Sequence, residues 1–192
     1  MESEEPHKIL FIGPPGAGKG TQAKYLQLNY NLVHISTGDI ARRAFRNKDP
    51  LVSRYEKDVQ ENGKLLSDKV IFQLLENKIS SIEQMKNYKG YILDGAVRTL
   101  NQAEYVLENN LANFVFFFDI PKEEAIKRLN IRYQLERRSD DKPEVIEKRF
   151  VEYYKKTTPT ISFLSNNFQK YFRIDASRSI ELIRRNLCNL IL

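Results

Sequence analysis

A glycine-rich segment near the N-terminus constrains the fold more than any other feature of this sequence. Residues 13–21 read GPPGAGKGT, follow an apolar run at 9–12 and precede a stretch with helical spacing at 23–28. Strand, glycine-rich loop and helix form the context in which a G-x-x-x-x-G-K motif predicts phosphate binding. Glycines let backbone N–H groups surround an anion, and Lys19 would supply a mobile cation from a solvent-facing loop. A plain turn is the alternative, but the pattern favours a nucleotide polyphosphate.

Short apolar runs alternate with amphipathic segments along the rest of the chain. The strand-like runs span residues 8–12, 32–35, 91–93, 114–120 and 171–174. The helical patterns include residues 69–79, 100–107, 122–129 and 180–190. Three consecutive phenylalanines at 116–118 indicate a central strand that is covered on both faces. The alternation predicts an α/β fold with a parallel sheet and helices on both faces.

We expect a single domain, because the 192 residues contain no repeat, low-complexity tract or linker. A long, mostly helical insertion at 37–89 separates the second and third predicted strands, and a second polar insertion follows Leu129. In such folds ligands bind at the carboxyl ends of the strands. Both insertions would emerge at that edge of the sheet.

Composition narrows the class of partner. The formal net charge of +6 suits an anionic ligand, with nucleic acid as the rival to nucleotides. However, basic residues are spread among acidic ones, and no basic tail or RNA-binding signature is present. Cys188 is the one cysteine, and no apolar run approaches the ~18 residues of a membrane span. The acidic start at 1–5 resembles neither a secretory signal nor a transit peptide. We therefore expect a cytoplasmic protein without nucleic-acid or membrane partners.

Charged residues follow the predicted strands where a ligand would bind. Asp94 ends the run at 91–93, the place where P-loop enzymes keep a carboxylate that orients Mg²⁺ directly or through water; helix capping is its alternative. The segment 34–39 and Arg42 follow the second strand. Guanidinium groups suit phosphoryl oxygens. Four more arginines surround the second insertion: Arg128, Arg132, Arg138 and Arg149.

Six motifs, in a fixed order, give the chain a resemblance to a known family. They are GPPGAGKGTQA, HISTGDIARRA, GKLLSD, GYILDG with RTLNQAE, RRSDD and KRFVEYYKKTTP. Together they resemble the adenylate kinases of the nucleoside monophosphate kinase family, over residues 8–174. The resemblance implies the reaction MgATP + AMP ⇌ 2 ADP. It also implies a monomer with ATP, AMP and ADP as partners and Mg²⁺ as cofactor.

The same resemblance implies a P-loop, doubly wound, five-stranded parallel sheet with helices on both faces, plus two mobile insertions. Within a single domain 1–192 the core would comprise 1–35, 67–130 and 142–192, the AMP-binding (NMP-binding) insertion 36–66, and the lid 131–141.

On the ATP side, the resemblance implies that the glycine-rich loop wraps the phosphates and that Lys19 follows the phosphoryl group as it moves. The loop residues concerned are Gly16, Ala17, Gly18, Lys19, Gly20 and Thr21. Arg128 and Arg178 would lie near the ATP base. Asp94, with Asp39, would hold the water shell of Mg²⁺, and no direct protein ligand to the metal is implied.

On the acceptor side, the resemblance implies that Arg42 and Arg98 bind the AMP phosphate and that Gln102 reads the adenine edge. The full AMP pocket would comprise Thr37, Arg42, Lys64, Leu65, Leu66, Gly95, Ala96, Val97, Arg98, Gln102, Arg138 and Arg149.

For catalysis, the resemblance implies arginines around the transferring group, with lid carboxylates that orient them and tie the lid down. The catalytic set would be Lys19, Asp94, Arg98, Arg132, Arg138, Arg149, Asp140 and Asp141. Phosphoryl transfer has a loose transition state and depends on positioning and charge. The AMP phosphate is already anionic, so neither His7 nor His34 is expected to act as a base.

The chain departs from the family pattern at several positions. Ala96 and Val97 stand where the family usually has Phe-Pro, and Arg137 stands where it often has glycine. Gly20 moves the loop hydroxyl one residue on, to Thr21. The lid at 131–141 is short and has no cysteine, so it is not expected to be of the zinc-bearing type.

Three other functions remain open at this point. A UMP/CMP kinase would typically carry alanine at position 37 and asparagine at position 102, whereas Thr37 and Gln102 favour adenine. A catalytically weakened relative is conceivable because of Ala96 and Val97. A regulatory P-loop switch would leave the arginine series without a role.

Overall fold

A computed structural model of the chain describes residues 5–85 and 88–191. Residues 1–4 of the acidic start considered above lie outside this range. The five strands are β1 (His7–Ile12), β2 (Val33–Ser36), β3 (Gly90–Asp94), β4 (Phe114–Asp119) and β5 (Tyr171–Asp175). Each coincides, within two residues at either end, with a predicted apolar run.

All strand pairs are parallel, and the order across the sheet is β2-β3-β1-β4-β5. This confirms the predicted five-stranded, doubly wound sheet. The first strand in the chain is central, since Ile9 pairs with Ile92 of β3 on one side and Phe114 of β4 on the other. The loop that follows β1 therefore emerges at the middle of the sheet.

The helices account for most of the remaining chain. They are α1 (Lys19–Tyr30), α2 (Thr37–Arg46), α3 (Pro50–Ser53), α4 (Glu56–Gln60), α5 (Asp68–Glu83), α6 (Leu100–Glu108), α7 (Lys122–Glu136), α8 (Pro143–Glu152), α9 (Thr158–Asn167) and α10 (Ile180–Ile191). A 3₁₀ turn (Ser139–Asp141) precedes α8, and a π-helical segment (Tyr153–Thr157) joins α8 to α9. The four helical patterns predicted by periodicity are confirmed.

Two apolar layers cover the sheet, one on each face. Alternate residues of β1 point to opposite layers: Ile9 and Phe11 pack with α1, α7, α8 and α10, whereas Leu10 and Ile12 pack with α2, α5, α6 and α9. The whole of β4 up to Phe118 is buried, as expected of a strand covered on both faces. No helix among the described residues is long and apolar enough to cross a bilayer.

The first insertion has helices of its own, whereas the lid includes the end of a core helix. The first, predicted at 36–66, consists of α2, α3 and α4 with their connections. The predicted lid at 131–141 is in part an extension of α7, which continues to Glu136. Arg137 then turns the chain with φ 52° and ψ 35°, a left-handed conformation that favours glycine. The departure from glycine at this position therefore falls on a strained residue.

Candidate active site

A large cavity opens at the carboxyl ends of the strands, between the two insertions. Most of the predicted site residues line it: Gly16, Ala17, Gly18, Lys19, Gly20, Thr21, Thr37, Asp39, Arg42, Lys64, Leu65, Leu66, Asp94, Gly95, Val97, Arg98, Gln102, Arg132, Arg138, Asp140 and Arg149. Four predicted residues are not among its walls: Ala96, Arg128, Asp141 and Arg178. The positions of these four residues have separate explanations.

The phosphate loop (residues 13–21) needs glycine because it passes close to other backbone. A Cβ on Gly13, at φ +148°, would lie 2.5 Å from the carbonyl oxygen of Phe118. A Cβ on Gly16, at φ +81°, would lie 2.5 Å from the carbonyl oxygen of Ala125. The loop is therefore held against β4 and α7, with the N-terminus of α1 below it, in the arrangement that presents backbone N–H groups to an anion.

Lys19 is not the freely exposed loop cation that the sequence suggested. It is the first residue of α1, and its Nζ donates hydrogen bonds to the carbonyl oxygens of Gly13 (2.7 Å) and Pro14 (2.9 Å). Burial lowers the pKa of Lys19 to about 8, with only partial compensation from Asp94 and a further lowering by nearby arginines. The expectation failed because helix α1 begins at Lys19, which turns its side chain back over the loop.

Asp94 is an ionised carboxylate in the floor of the cavity. Burial would raise its pKa, but a hydrogen bond from His34 and the charge of Lys19 hold the pKa below its ordinary value. Asp94 Oδ2 lies 3.3 Å from His34 Nε2, and a Cβ on Gly20 would be 3.4 Å from the same oxygen. One carboxylate above the first turn of α1 fits a role on the water shell of a phosphate-bound Mg²⁺. In the part of the chain that the structure describes, no group of three or more His, Cys, Asp or Glu could hold a metal ion.

The lid carries two carboxylates that hold arginines from neighbouring helices. Asp141 is fully buried, which explains its absence from the cavity wall. Its two oxygens accept hydrogen bonds from Arg132 Nε (2.6 Å) and Nη2 (2.8 Å), and Arg149 Nη1 donates to Oδ1 at 2.7 Å. Burial alone would lower the pKa of Arg132, but these bonds hold it above its ordinary value. We call Arg132, Arg149, Asp140 and Asp141 the lid cluster.

The lid cluster also connects the two insertions. Asp140 Oδ2 lies 3.3 Å from both Arg149 Nη1 and Arg42 Nη1, so it bridges α8 and α2. Burial would raise the pKa of Asp140, but Arg149 and Arg42 hold it below its ordinary value. A second link is the hydrogen bond from Ser139 Oγ to Gln60 Oε1, 3.0 Å long. Lid carboxylates thus compensate the charges of Arg42, Arg132 and Arg149.

The acceptor side of the cavity is organised around the segment after β3. Thr37 Oγ1 donates to the carbonyl oxygen of Gly95 (2.8 Å), and Arg98 Nε donates to the same oxygen (3.2 Å). Burial, reinforced by Arg149, lowers the pKa of Arg98 to about 10. Gln102 is only 2% exposed. Ala96 is fully buried in the apolar layer and faces away from the cavity. No peptide bond among the described residues is cis.

The two arginines expected near the ATP base bond to residues at the end of β5 and in the loop that follows it. Arg128 donates to the carbonyl oxygens of Ala176 (2.8 Å) and Ser177 (3.3 Å), while the exposed Arg178 pairs with Asp175 at 2.8 Å. Both arginines therefore lie at the loop between β5 and α10. Arg128 remains close to the phosphate loop, since its Nη1 would be 4.0 Å from a Cβ on Gly18.

The cavity is also lined by residues that were not identified as site residues from the sequence, and His34, Tyr153 and Thr157 are three of them. His34 was set aside as a base, yet it lines the cavity and is the neighbour of Asp94. Tyr153 and Thr157 belong to the π-helical segment, and Thr157 Oγ1 donates to the carbonyl oxygen of Arg98 at 3.0 Å. A π-helical turn often occurs at functional sites, but no sequence pattern announced this one. A parallel pairing of the second and third predicted strands would have placed His34 next to the strand that carries Asp94.

A phosphate loop, a facing set of arginines and two insertions that meet over one cavity define a P-loop phosphotransferase of the nucleoside monophosphate kinase class. The comparisons with known proteins agree. The family described as "Adenylate kinase" matches residues 11–169. A protein named adenylate kinase from Cyanothece sp. (strain PCC 7425 / ATCC 29141) is 39% identical over 176 residues, which cover 89% of this chain and 88% of that protein.

Two further relatives carry the same name. The one from Prochlorococcus marinus (strain MIT 9515) is 37% identical, covering 82% of this chain and 84% of the relative, and the one from Petrotoga mobilis (strain DSM 10674 / SJ95) is 31% identical, covering 96% and 97%. The chain belongs to the adenylate kinase family. It is a phosphotransferase that acts between ATP and AMP, and this family generally uses ATP with Mg²⁺.

Proposed function

We propose that this enzyme converts MgATP and AMP reversibly into two molecules of ADP at the cavity between the insertions, with the residue roles given below. The observation that carries the proposal is that cationic groups from the phosphate loop and from the lid side line one cavity. Lys19 lies at the phosphate loop, and Arg132 and Arg149 lie on the lid side, and all three line the cavity. Such a site can neutralise a phosphoryl group from both sides during transfer.

On the donor side, the backbone N–H groups of the phosphate loop would bind the ATP phosphates. Lys19 would exchange its loop carbonyl partners for phosphate oxygens and follow the transferred group. Mg²⁺ carried by the nucleotide supplies further charge neutralisation when bound, and Asp94 would orient its water. Asp39 is a weaker candidate for that role, because its carboxylate pairs with Arg42 at 2.6 Å. We keep Arg128 and Arg178 as candidates near the ATP base, at the loop after β5.

On the acceptor side, Arg42 and Arg98 would bind the phosphate of AMP, and Gln102 would bind its base. Lys64, Leu65 and Leu66 would close the pocket from the end of the AMP-binding insertion. The AMP phosphate needs no deprotonation, so no general base is required. The main chemical requirement is the exclusion of water, since water would otherwise compete as acceptor.

Closure of the lid over the AMP-binding insertion would exclude that water. The contacts of Asp140 with Arg42 and of Ser139 with Gln60 support this role for the lid. Within the proposed closed site, Arg132, Arg138 and Arg149 would surround the transferring group, and Asp140 and Asp141 would orient them. Crystal structures with and without a bisubstrate mimic would test the mechanism. Identical positions of residues 36–66 and 131–141 in both would count against it, provided that crystal contacts do not hold them.

Acceptor specificity distinguishes this proposal from a UMP/CMP kinase and from a catalytically weakened relative. The experiment is a coupled assay with ATP and a panel of AMP, CMP and UMP. We expect AMP to be the best acceptor. A higher kcat/KM for UMP or CMP would overturn the specificity, and the absence of ADP formation from every acceptor would indicate the weakened relative.

Gln102 provides the second test of the acceptor assignment. Gln102→Ala should weaken the binding of AMP much more than the binding of ATP, because a buried hydrogen-bonding group left unpaired costs about 1–3 kcal/mol. Asn109→Ala, a change at an exposed amide after α6, is the matched control. Equal losses for AMP and ATP would remove Gln102 from the acceptor site.

We further propose that the enzyme is a cytoplasmic monomer that binds no zinc and no nucleic acid. The absence of cysteine from residues 131–141 supports the first of these exclusions. Metal analysis of the purified protein tests the absence of zinc, sedimentation at working concentration tests the monomer, and a nucleic-acid binding assay tests the last exclusion.

A further inference from the structure

Two groups of opposite hydrogen-bonding character fix the orientation of the Gln102 side-chain amide. Its Oε1 accepts a hydrogen bond from the backbone N–H of Arg98 at 2.7 Å, and its Nε2 donates to Asp68 Oδ1 at 2.8 Å. A backbone N–H can only donate, and an ionised carboxylate can only accept. If the amide turned over, its NH₂ group would face an N–H and its oxygen would face a carboxylate. One orientation is therefore strongly preferred.

Asp68 is itself held in place by donors that leave it no freedom to turn away. Thr99 Oγ1 donates to Asp68 Oδ1 at 3.0 Å, and Asn101 Nδ2 donates to Asp68 Oδ2 at 2.8 Å. The Thr99 oxygen accepts from the backbone N–H of Gln102 at 3.2 Å, so its hydrogen is available for Asp68. Asp68 is also the first residue of α5, where the helix dipole favours an anion.

These supporting residues lie behind Gln102 and do not form the cavity wall. Gln102 lines the cavity, whereas Asp68, Thr99 and Asn101 do not. After its two protein hydrogen bonds, the amide of Gln102 retains one N–H and one oxygen lone pair. Since the amide cannot turn over, the order of this donor and acceptor is constant for any base that reaches it.

Purine bases differ in the order of the hydrogen-bond donor and acceptor on the edge that would face Gln102. The 6-aminopurine edge places an acceptor, N1, beside a donor, the amino group. The 6-oxopurine edge places a donor, N1–H, beside an acceptor, O6. A freely turning amide can match either edge, but an amide of fixed orientation matches one and opposes the other.

We propose that Asp68 is a positioning residue that determines acceptor specificity: by fixing the amide of Gln102, it makes the site select 6-aminopurine over 6-oxopurine nucleoside monophosphates. The inference rests on the proposed placement of Gln102 against the acceptor base. It adds a residue outside the cavity to the recognition of that base, and it predicts a defect in discrimination rather than a uniform loss of activity.

The experiment compares kcat/KM for AMP and for IMP, with ATP as donor, in the wild type, Asp68→Asn and Asn101→Ala. The asparagine amide can both donate and accept, so the variant removes one of the two constraints on Gln102, and only the backbone N–H of Arg98 still opposes the turned-over amide. We expect the AMP:IMP ratio of Asp68→Asn to fall by about tenfold or more, because it then tolerates the mismatched edge. Asn101→Ala removes the bond to Asp68 Oδ2 but leaves the bonds of Oδ1 with Thr99 and Gln102, so its AMP:IMP ratio should stay within about twofold of the wild type.

The outcomes separate this inference from the proposed function. If the wild type is active and Asp68→Asn has the same AMP:IMP ratio, the inference alone is overturned. A merely structural role of Asp68 would lower kcat/KM equally for both acceptors. A wild type that forms no ADP from AMP would overturn both proposals. If Asp68→Asn unfolds, Asp68→Ser, at the position after the N-cap Ser67, also removes the strict acceptor. Calorimetric binding of AMP and IMP to the folded variant then gives the same ratio.

Discussion

The phosphate loop and the lid cluster supply positive charge to the same cavity, but they hold that charge by different means. Lys19 is bonded to carbonyl oxygens of its own loop, five and six residues away in the sequence. Arg132 and Arg149 are bonded to side-chain carboxylates, and Asp140 also contacts Arg42, which is 98 residues away. The loop is a local, backbone-determined structure. The lid cluster exists only where two insertions and α8 meet.

This difference predicts different costs for losing charge on the two sides. Removing the loop cation should affect catalysis without destabilising the fold, because burial already disfavours its charge. Removing a lid carboxylate should affect both, because it leaves arginines without their partners. Five experiments test or refine this contrast.

The largest effect is expected for Lys19→Ala. We predict a fall in kcat of about 10³ or more, equivalent to about 4 kcal/mol of transition-state stabilisation. The free energy of unfolding, measured in urea, should not decrease. Lys127→Ala, at an exposed position on α7, is the control for the loss of a lysine. Near-normal ADP formation by the Lys19 variant would show that the loop cation is not catalytic.

Asp141→Asn should produce the next largest effect, and this effect should include stability. The substitution keeps the shape of the side chain but removes the charge that faces Arg132 and Arg149 in a fully buried position. Breaking such a pair costs about 3 kcal/mol. Glu144→Gln, an exposed change at the start of α8, should leave the unfolding free energy within about 0.5 kcal/mol of the wild type. A stability loss no larger than that of Glu144→Gln would contradict the contrast.

Proton uptake on ATP binding separates the two sides by their pKa values. The pKa of Lys19 is about 8 instead of the ordinary 10.5, so its charge is half lost at pH 8, and a bound polyphosphate should restore it. Calorimetry at pH 8 in buffers of different ionisation enthalpy should therefore detect uptake of up to about half a proton. Arg98, with a pKa of about 10, contributes little at that pH. The uptake should be absent in Lys19→Met, and uptake that persists in this variant would assign the proton to another group.

The same pKa fixes the sign of the stability change with pH. Between pH 8 and 10.5 the unfolded chain binds the Lys19 proton more tightly than the folded protein does. The contribution of Lys19 to folding stability therefore improves as pH rises through this window and is least favourable below pH 8. Comparison of wild type and Lys19→Met in urea at pH 7 and pH 9 isolates this contribution.

The smallest effect is expected for Ser139→Ala, which removes the hydrogen bond to Gln60 between the two insertions. A net hydrogen bond of about 1 kcal/mol or less predicts a change in the KM for AMP of no more than about fivefold, with the unfolding free energy nearly unchanged. Ser162→Ala, on the exposed side of α9, is the matched control. A KM identical to that of the control would mean that the two insertions do not depend on this bond.

The local parts of the molecule could be predicted from the sequence. The phosphate loop, the five strands and the parallel sheet follow from spacing and periodicity, because each depends on residues close together in the chain. The placement of Asp94 at a strand end follows in the same way. Most residues to which the family resemblance assigned a role line the cavity, including Gln102 and Arg98.

The remaining features depend on partners that are distant in the sequence. The pairing of His34 with Asp94 joins two strands through their side chains, and the hydrogen bond from Thr157 to Arg98 requires the π-helical segment to pack against the loop after β3. Arg128 lies beside the phosphate loop, but the carbonyl oxygens of the loop after β5 hold it outside the cavity wall. Periodicity carries no information about such contacts, since it reports which face of an element is buried and not what meets it.

The central place of β1 in the sheet has a consequence for how the protein is made. β1 is synthesised first, yet both of its neighbours, β3 and β4, come from residues 90–94 and 114–119. The backbone of Phe118 in β4 is also what the phosphate loop is packed against. A growing chain thus contains the motif well before the motif can form a binding site, because Phe118 of β4 and Ala125 of α7, against which the loop packs, are translated later. The phosphate loop therefore cannot adopt its native conformation until these later residues have been synthesised.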